Sequence, residues 1–122
     1  MLENLKSKPK LIDVSVLEEI TDGSPDLLND MLDIFFLQTP TYIMDMETAY
    51  KNGDYAKLGA VAHKAKSSVA TMGITSLVQK MKEFEFLAKS GEKPESYPEY
   101  LNLFKSTCEE AIKELKIIKS NL

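Results

Sequence analysis

Tryptophan and arginine are absent from this sequence, and cysteine and histidine occur once each, as Cys108 and His63. A single cysteine excludes an internal disulfide and very nearly excludes a thiolate-based zinc site. All 15 basic residues are lysine and the formal net charge is −4. With no guanidinium to fork onto guanine or phosphate, nucleic acid is not the expected partner. No apolar run approaches the roughly 18 residues that span a bilayer, and the opening MLENLKSKPKL lacks the uninterrupted apolar stretch of a signal peptide. The expectation is a cytoplasmic protein without a membrane partner. Glycine and proline number only five each, mostly in short clusters. Between them lie long stretches of good helix formers with few β-branched runs, so the chain reads as all-α.

What is present is one domain's worth of chain: 122 residues, 43% hydrophobic and 28% charged, enough for a single core. Residues 1–10 carry three lysines and a proline without apolar periodicity and read as a flexible lead-in, leaving 11–122 as the helical domain. A short helix through Val14, Val16, Leu17 and Ile20 stops at Thr21-Asp22-Gly23. Ser24-Pro25-Asp26 supplies a cap, a first-turn proline and an acid suited to a helix N-terminus. Thr39-Pro40 repeats the cap-then-proline signature and predicts either a kink or a fresh helix through about Tyr50. Asp54 caps a helix that runs to Met72 and ends at Gly73, another spans about 75–89, and a last one starts near Tyr97. In the last, Leu101, Phe104, Cys108, Ala111, Leu115 and Ile118 keep one narrow seam. Connections this short predict an up-and-down antiparallel four-helix bundle with one or two additional N-terminal helices. The methionines Met31, Met44, Met46, Met72 and Met81 read as gap-filling.

On the helix 54–72, at 100° per residue, Leu58, Val61, Ala65, Val69 and Met72 fall within about 40° of one line, the buried stripe. His63 lies about 160° away on the outer face. Around it sit Gly59, Ala60 and Ser67, with Ala56 and Ala70 a turn further out. Solvated faces normally carry long charged side chains, so a face this bare reads as one that a second body approaches closely. Lys64 borders it, and Lys66 can reach a negative charge placed on the ring.

A lone exposed histidine has few chemistries open to it. Metal binding needs more ligands, and a hydrolytic triad needs an orienting acid and an oxyanion site. Nucleophilic transfer needs neither, because an exposed imidazole at neutral pH is mostly uncharged and has a free lone pair. Such a ring can accept a phosphoryl group from a partner that brings the remaining machinery, and return it.

Ala62-His63-Lys64-Ala65-Lys66-Ser67-Ser68, with Gly73 ten residues after the histidine, resembles the phosphoacceptor helix of histidine-containing phosphotransfer (HPt) domains. The resemblance extends to Ile12-Asp13, Gly53-Asp54, and Phe84-Glu85 with Gly91, and covers roughly residues 11–118. It implies that His63 is the phosphoacceptor of a phosphorelay, exchanging phosphate with receiver-domain aspartates of hybrid sensor kinases and response regulators. Lys66 matches the lysine that steadies the phosphoryl group, and Glu85 the position that can hydrogen-bond the ring. The bare face of Gly59, Ala60, Lys64, Ser67 and Ala70 would then dock the receiver. Ile12, Val16, Ile20, Phe35 and Phe36 are candidates for an adjoining hydrophobic patch. Ser67 departs from the usual glycine, and its hydroxyl can instead turn back to a carbonyl of its own helix. Ala65 stands where leucine is frequent. The resemblance also implies a phosphocarrier without kinase or nucleotide site, no bound cofactor, Mg2+ only on the receiver, and a monomer. The competing expectation is a helical docking module that binds a receiver without phosphate chemistry.

Overall fold

The computed structural model describes Leu2, Leu5 and residues 8–122. Five helices are found among these residues: α1 (Val14–Thr21), α2 (Pro25–Lys51), α3 (Tyr55–Thr71), α4 (Thr75–Ser90) and α5 (Tyr97–Ser120), with a single 3-10 turn at Pro94–Ser96 before the last. Around the bundle α2 neighbours α3, α3 neighbours α4, α4 neighbours α5, and α5 closes back on α2, while α1 packs across α2 and α3. The four-helix bundle therefore carries one additional N-terminal helix.

Each start is written in side-chain chemistry. Asp13, Ser24 and Asp54 accept hydrogen bonds from the backbone N–H groups of Ser15, Leu27 and Lys57, satisfying donors that the first turn leaves unpaired. The stops use left-handed backbone, at Gly73 (φ 71°) after α3 and Gly91 (φ 68°) after α4. Gly73 has a second duty. Its carbonyl accepts from Asp13 N at 2.8 Å, and a Cβ built on it would lie 2.7 Å from the Asp13 carbonyl oxygen. The end of α3 and the cap of α1 are thus in backbone contact.

No fresh helix begins at Pro40. The proline lies inside a continuous α2, on a solvent-exposed position where its missing N–H is least costly, while buried Thr39 turns its hydroxyl back to Phe35 O at 2.7 Å. The loose lead-in expected over 1–10 falls partly on Met1, Glu3, Asn4, Lys6 and Ser7, which lie outside the described residues. Elsewhere in it, Leu2 is buried and Leu5 packs against the core, so the apolar side chains of this stretch extend the core. Glu114 of α5 accepts from Leu11 N at 2.9 Å and Ile12 N at 3.2 Å, fixing the entry to the bundle.

The core is continuous from α1 to α5 and includes the predicted stripe of α3 and the α5 seam from Phe104 to Ile118. Tyr97 is fully buried, with Tyr50, Tyr55 and Phe84 edge-on around its ring. Its hydroxyl lies 2.7 Å from the carbonyl oxygens of both Leu87 and Glu92, so it ties the α4–α5 turn to the core and satisfies its own polar atom. Met46, Met72 and Met81 fill the interior, but Met44 is 64% exposed and fills no gap.

Candidate functional site

The most extensively packed helix pair in the bundle is α3 with α4, and a glycine lies where they meet. Gly59 of α3 is buried against Lys89 of α4, where the missing side chain lets the two backbones approach. Gly59 was expected on the open face around His63. The structure places it under α4, because a Cβ there would meet Lys89 Cγ at 2.6 Å and Lys89 N at 3.1 Å. Its bareness serves helix packing, and the bare outer face is carried by Ala56, Ala60 and Ser67, which are exposed, with Ala70 half-buried.

His63 stands on the solvent side of α3 with its side chain 55% exposed. Its Nδ1 lies 2.9 Å from Oε1 of Glu85 on α4. The same Oε1 receives Lys66 Nζ at 3.1 Å, and Oε2 receives Lys89 Nζ at 3.1 Å. Burial pushes the Glu85 carboxyl upward, but hydrogen bonds from His63, Lys66 and Lys89 and the charge of Lys66 outweigh it and hold the group at about 2. Glu85 is therefore a carboxylate at neutral pH and can only accept. Nδ1 must therefore carry a proton, and in the neutral ring the lone pair is on Nε2, the nitrogen with no hydrogen-bond partner among the described residues. One ring nitrogen is oriented by Glu85, and the other is left without a partner among the described residues.

Beside the ring runs an open groove of about 390 Å³ between α2 and α3, lined by Met31, Ile34, Phe35, Gln38 and Tyr42 on one side and His63, Lys64, Ser67 and Thr71 on the other. Ser67, also at the groove, donates back to His63 O at 3.3 Å, so its hydroxyl is turned onto its own helix. Along α2 the apolar surface continues outward, with Ile34 53%, Leu37 77% and Met44 64% exposed. Of the patch residues expected from sequence, Phe35 lines the groove and Ile20 is exposed, but Ile12 is a buried core residue that docks nothing. Leu37, Met44 and Lys89 were missed. Their signal was present as apolar and charged positions on the wrong side of otherwise amphipathic helices, yet the pairing of α4 with α3 is not visible in either helix alone.

Among the described residues, no group of three or more His, Cys, Asp or Glu side chains converges as a metal site requires. Cys108 is buried in the core, and burial pushes its thiol up to about 12, so it is not a nucleophile. Among the described residues, no helix is long and apolar enough to cross a membrane.

An antiparallel helical bundle that presents one oriented, solvent-facing imidazole defines a phosphotransfer module. The comparisons with known proteins reach the same class: the Hpt domain family model matches residues 30–117, most of the chain, and the protein belongs to that family. The matched span begins inside α2 and takes in α3, α4 and most of α5. Searches of curated proteins and of solved structures find no match. Hpt domains are phosphocarrier modules of two-component phosphorelays that interact with receiver domains, and they are not kinases.

Proposed function

We propose that His63 accepts a phosphoryl group at Nε2 from a receiver-domain aspartate and passes it to the aspartate of another receiver. The observation that carries this reading is the 2.9 Å contact of Nδ1 with Glu85, which leaves Nε2 nucleophilic on an exposed ring. In the forward step the Nε2 lone pair forms the N–P bond as the P–O bond of the aspartyl phosphate breaks, and the electron pair returns to the aspartate carboxylate. The ring keeps its Nδ1 proton, so it becomes cationic as the bond forms. A carboxylate already on Nδ1 stabilises that charge, by about 1–3 kcal/mol for a hydrogen bond to a charged group. The same cationic ring is a good leaving group, so the reverse step onto a second aspartate uses the same geometry. Lys66, one turn beyond the histidine, supplies the positive charge for the phosphoryl oxygens.

In this reading Mg2+ belongs to the receiver, and this chain contributes the acceptor nitrogen, its orientation and a docking face. The groove between α2 and α3, with exposed Ile34 and Leu37 at its rim and the small surface of Ala60 and Ser67, suits a receiver that must bring its aspartate to the ring. Incubation with a phosphorylated receiver should place acid-labile label on the wild-type chain and none on His63→Gln. Label that persists in that variant defeats the reading. Receiver binding unchanged by His63→Ala, with no transfer from wild type, would leave a docking module instead.

A further inference from the structure

Glu85 is held by three donors, and the third comes from outside the stretch around His63. Lys89 lies one turn beyond Glu85 on α4, with its Nζ 3.1 Å from Oε2, the oxygen that neither His63 nor Lys66 touches. Those two share Oε1 at 2.9 and 3.1 Å. A Glu–Lys pair at this spacing on an open helix surface ordinarily contributes little. This one differs in two respects. The Glu85 side chain is only 15% exposed, so its charge is less screened. The stem of Lys89 also lies in a place that only a glycine leaves open, because any Cβ at Gly59 would collide with its Cγ.

The arrangement has a consequence once the ring is phosphorylated. A phosphoryl group on Nε2 brings close to two negative charges, and Lys66, on the same helix as His63, is the cation able to turn towards it. A carboxylate that loses Lys66 would keep only the Nδ1–H of the cationic ring, and with no second cation to hold it would be drawn after the lysine, dropping Nδ1. Lys89 is anchored on the other helix and on the other oxygen, so it stays when Lys66 leaves.

Resting on the reading of His63 as phosphoacceptor, we propose that Lys89 is a positioning residue for the phosphohistidine. By holding Oε2 of Glu85 it keeps Oε1 on Nδ1 of His63 and allows Lys66 to exchange the carboxylate for the phosphoryl group.

The test uses the full chain with Lys89→Met, which keeps an unbranched stem over Gly59 but removes the charge, and Lys89→Arg, which restores it. Each is made in the wild-type and the Glu85→Gln backgrounds. After phosphorylation by a receiver domain, Lys89→Met should shorten the half-life of the acid-labile label roughly threefold, the effect of a partly screened ion pair. Lys89→Arg should restore it, and Lys89→Met should add nothing once Glu85 is Gln. A merely structural lysine would act equally in both backgrounds. On the unphosphorylated chain, the Glu85 carboxyl carbon followed by NMR should titrate higher in Lys89→Met than its wild-type position near 2. An unchanged half-life, equal shortening in the Glu85→Gln background, or an unmoved titration overturns the proposal. A wild-type chain that takes no label defeats the phosphoacceptor reading, and the lifetime role with it. The carboxyl titration would still separate that failure from failure of the Lys89–Glu85 contact.

Discussion

Gly59 and Lys89 meet where α3 crosses α4: a Cβ on the glycine would come within 2.6 Å of the lysine Cγ and 3.1 Å of its backbone nitrogen. The flexible stem can move aside, but the backbone of α4 cannot without shifting the helix. Overpacking of this kind typically costs about 1–3 kcal/mol, and alanine recovers about 1 kcal/mol of helix propensity. Gly59→Ala should therefore lower stability by about 1 kcal/mol in a denaturant titration. A stabilised variant would mean that the helices are not in close contact at this point.

Glu85 links the site to stability through pH. Its carboxyl titrates near 2 when folded, against 4.5 for the ordinary group, so the folded state binds its proton less readily than the unfolded one. The stabilisation is complete above about 4.5 and is lost as pH falls towards 2. With His63 and Lys89 more than half exposed, screening reduces its size to about 1–3 kcal/mol. The stability difference between wild type and Glu85→Gln should shrink as pH is lowered through that window. A difference that stays constant from pH 6 to pH 2 would show that the three donors do not hold the carboxylate.

Gly73 joins two elements as well as ending α3. Its φ of 71° is strained for any side chain, and a Cβ would lie 2.7 Å from the Asp13 carbonyl oxygen, forcing apart the Asp13–Gly73 backbone contact. Gly73→Ala should lower the thermal midpoint, with a loss of about 2–4 kcal/mol by chemical denaturation. Gly53, at φ 68° with open space around it, is the control. There alanine should cost only about 1 kcal/mol.

Ile34 is 53% exposed at the rim of the groove that reaches His63. Ile34→Lys should leave the folding free energy within about 0.5 kcal/mol of wild type, as surface substitutions do. If the groove docks a receiver, the same substitution should weaken binding about tenfold, the scale of an interface apolar anchor. Titration calorimetry against a receiver domain measures the second quantity directly, and equal affinities would move the docking face elsewhere.

Much of this was legible from sequence, because the physics involved is local. Caps at Ser24 and Asp54 and the glycine stop at Gly73 act within a turn or two of themselves, whereas the cap at Asp13 emerged only with the structure. The apolar period of residues 58–72 alone assigns a buried face and puts His63 opposite it. At Pro40 the local signal left a kink and a fresh helix both open: cap-then-proline is a start signal only if the preceding turn is released, and here, with Thr39 and Phe35 buried, the helix continues across it.

Which small residues were bare for a partner and which for a neighbouring helix could not be read from one helix. Gly59 and Ala60 are adjacent in the chain, yet one lies under α4 and the other faces solvent. Periodicity fixes the direction of a side chain on its own cylinder, but the angle and offset at which α4 crosses α3 depend on the packing of both helices at once. That crossing alone brings Glu85 to Nδ1 of His63 and lays Lys89 beside it. The chain order therefore settled the helices and the outward histidine. Only the packed bundle decided which nitrogen of that histidine is free, because the hydrogen bond that decides it spans 22 residues of sequence.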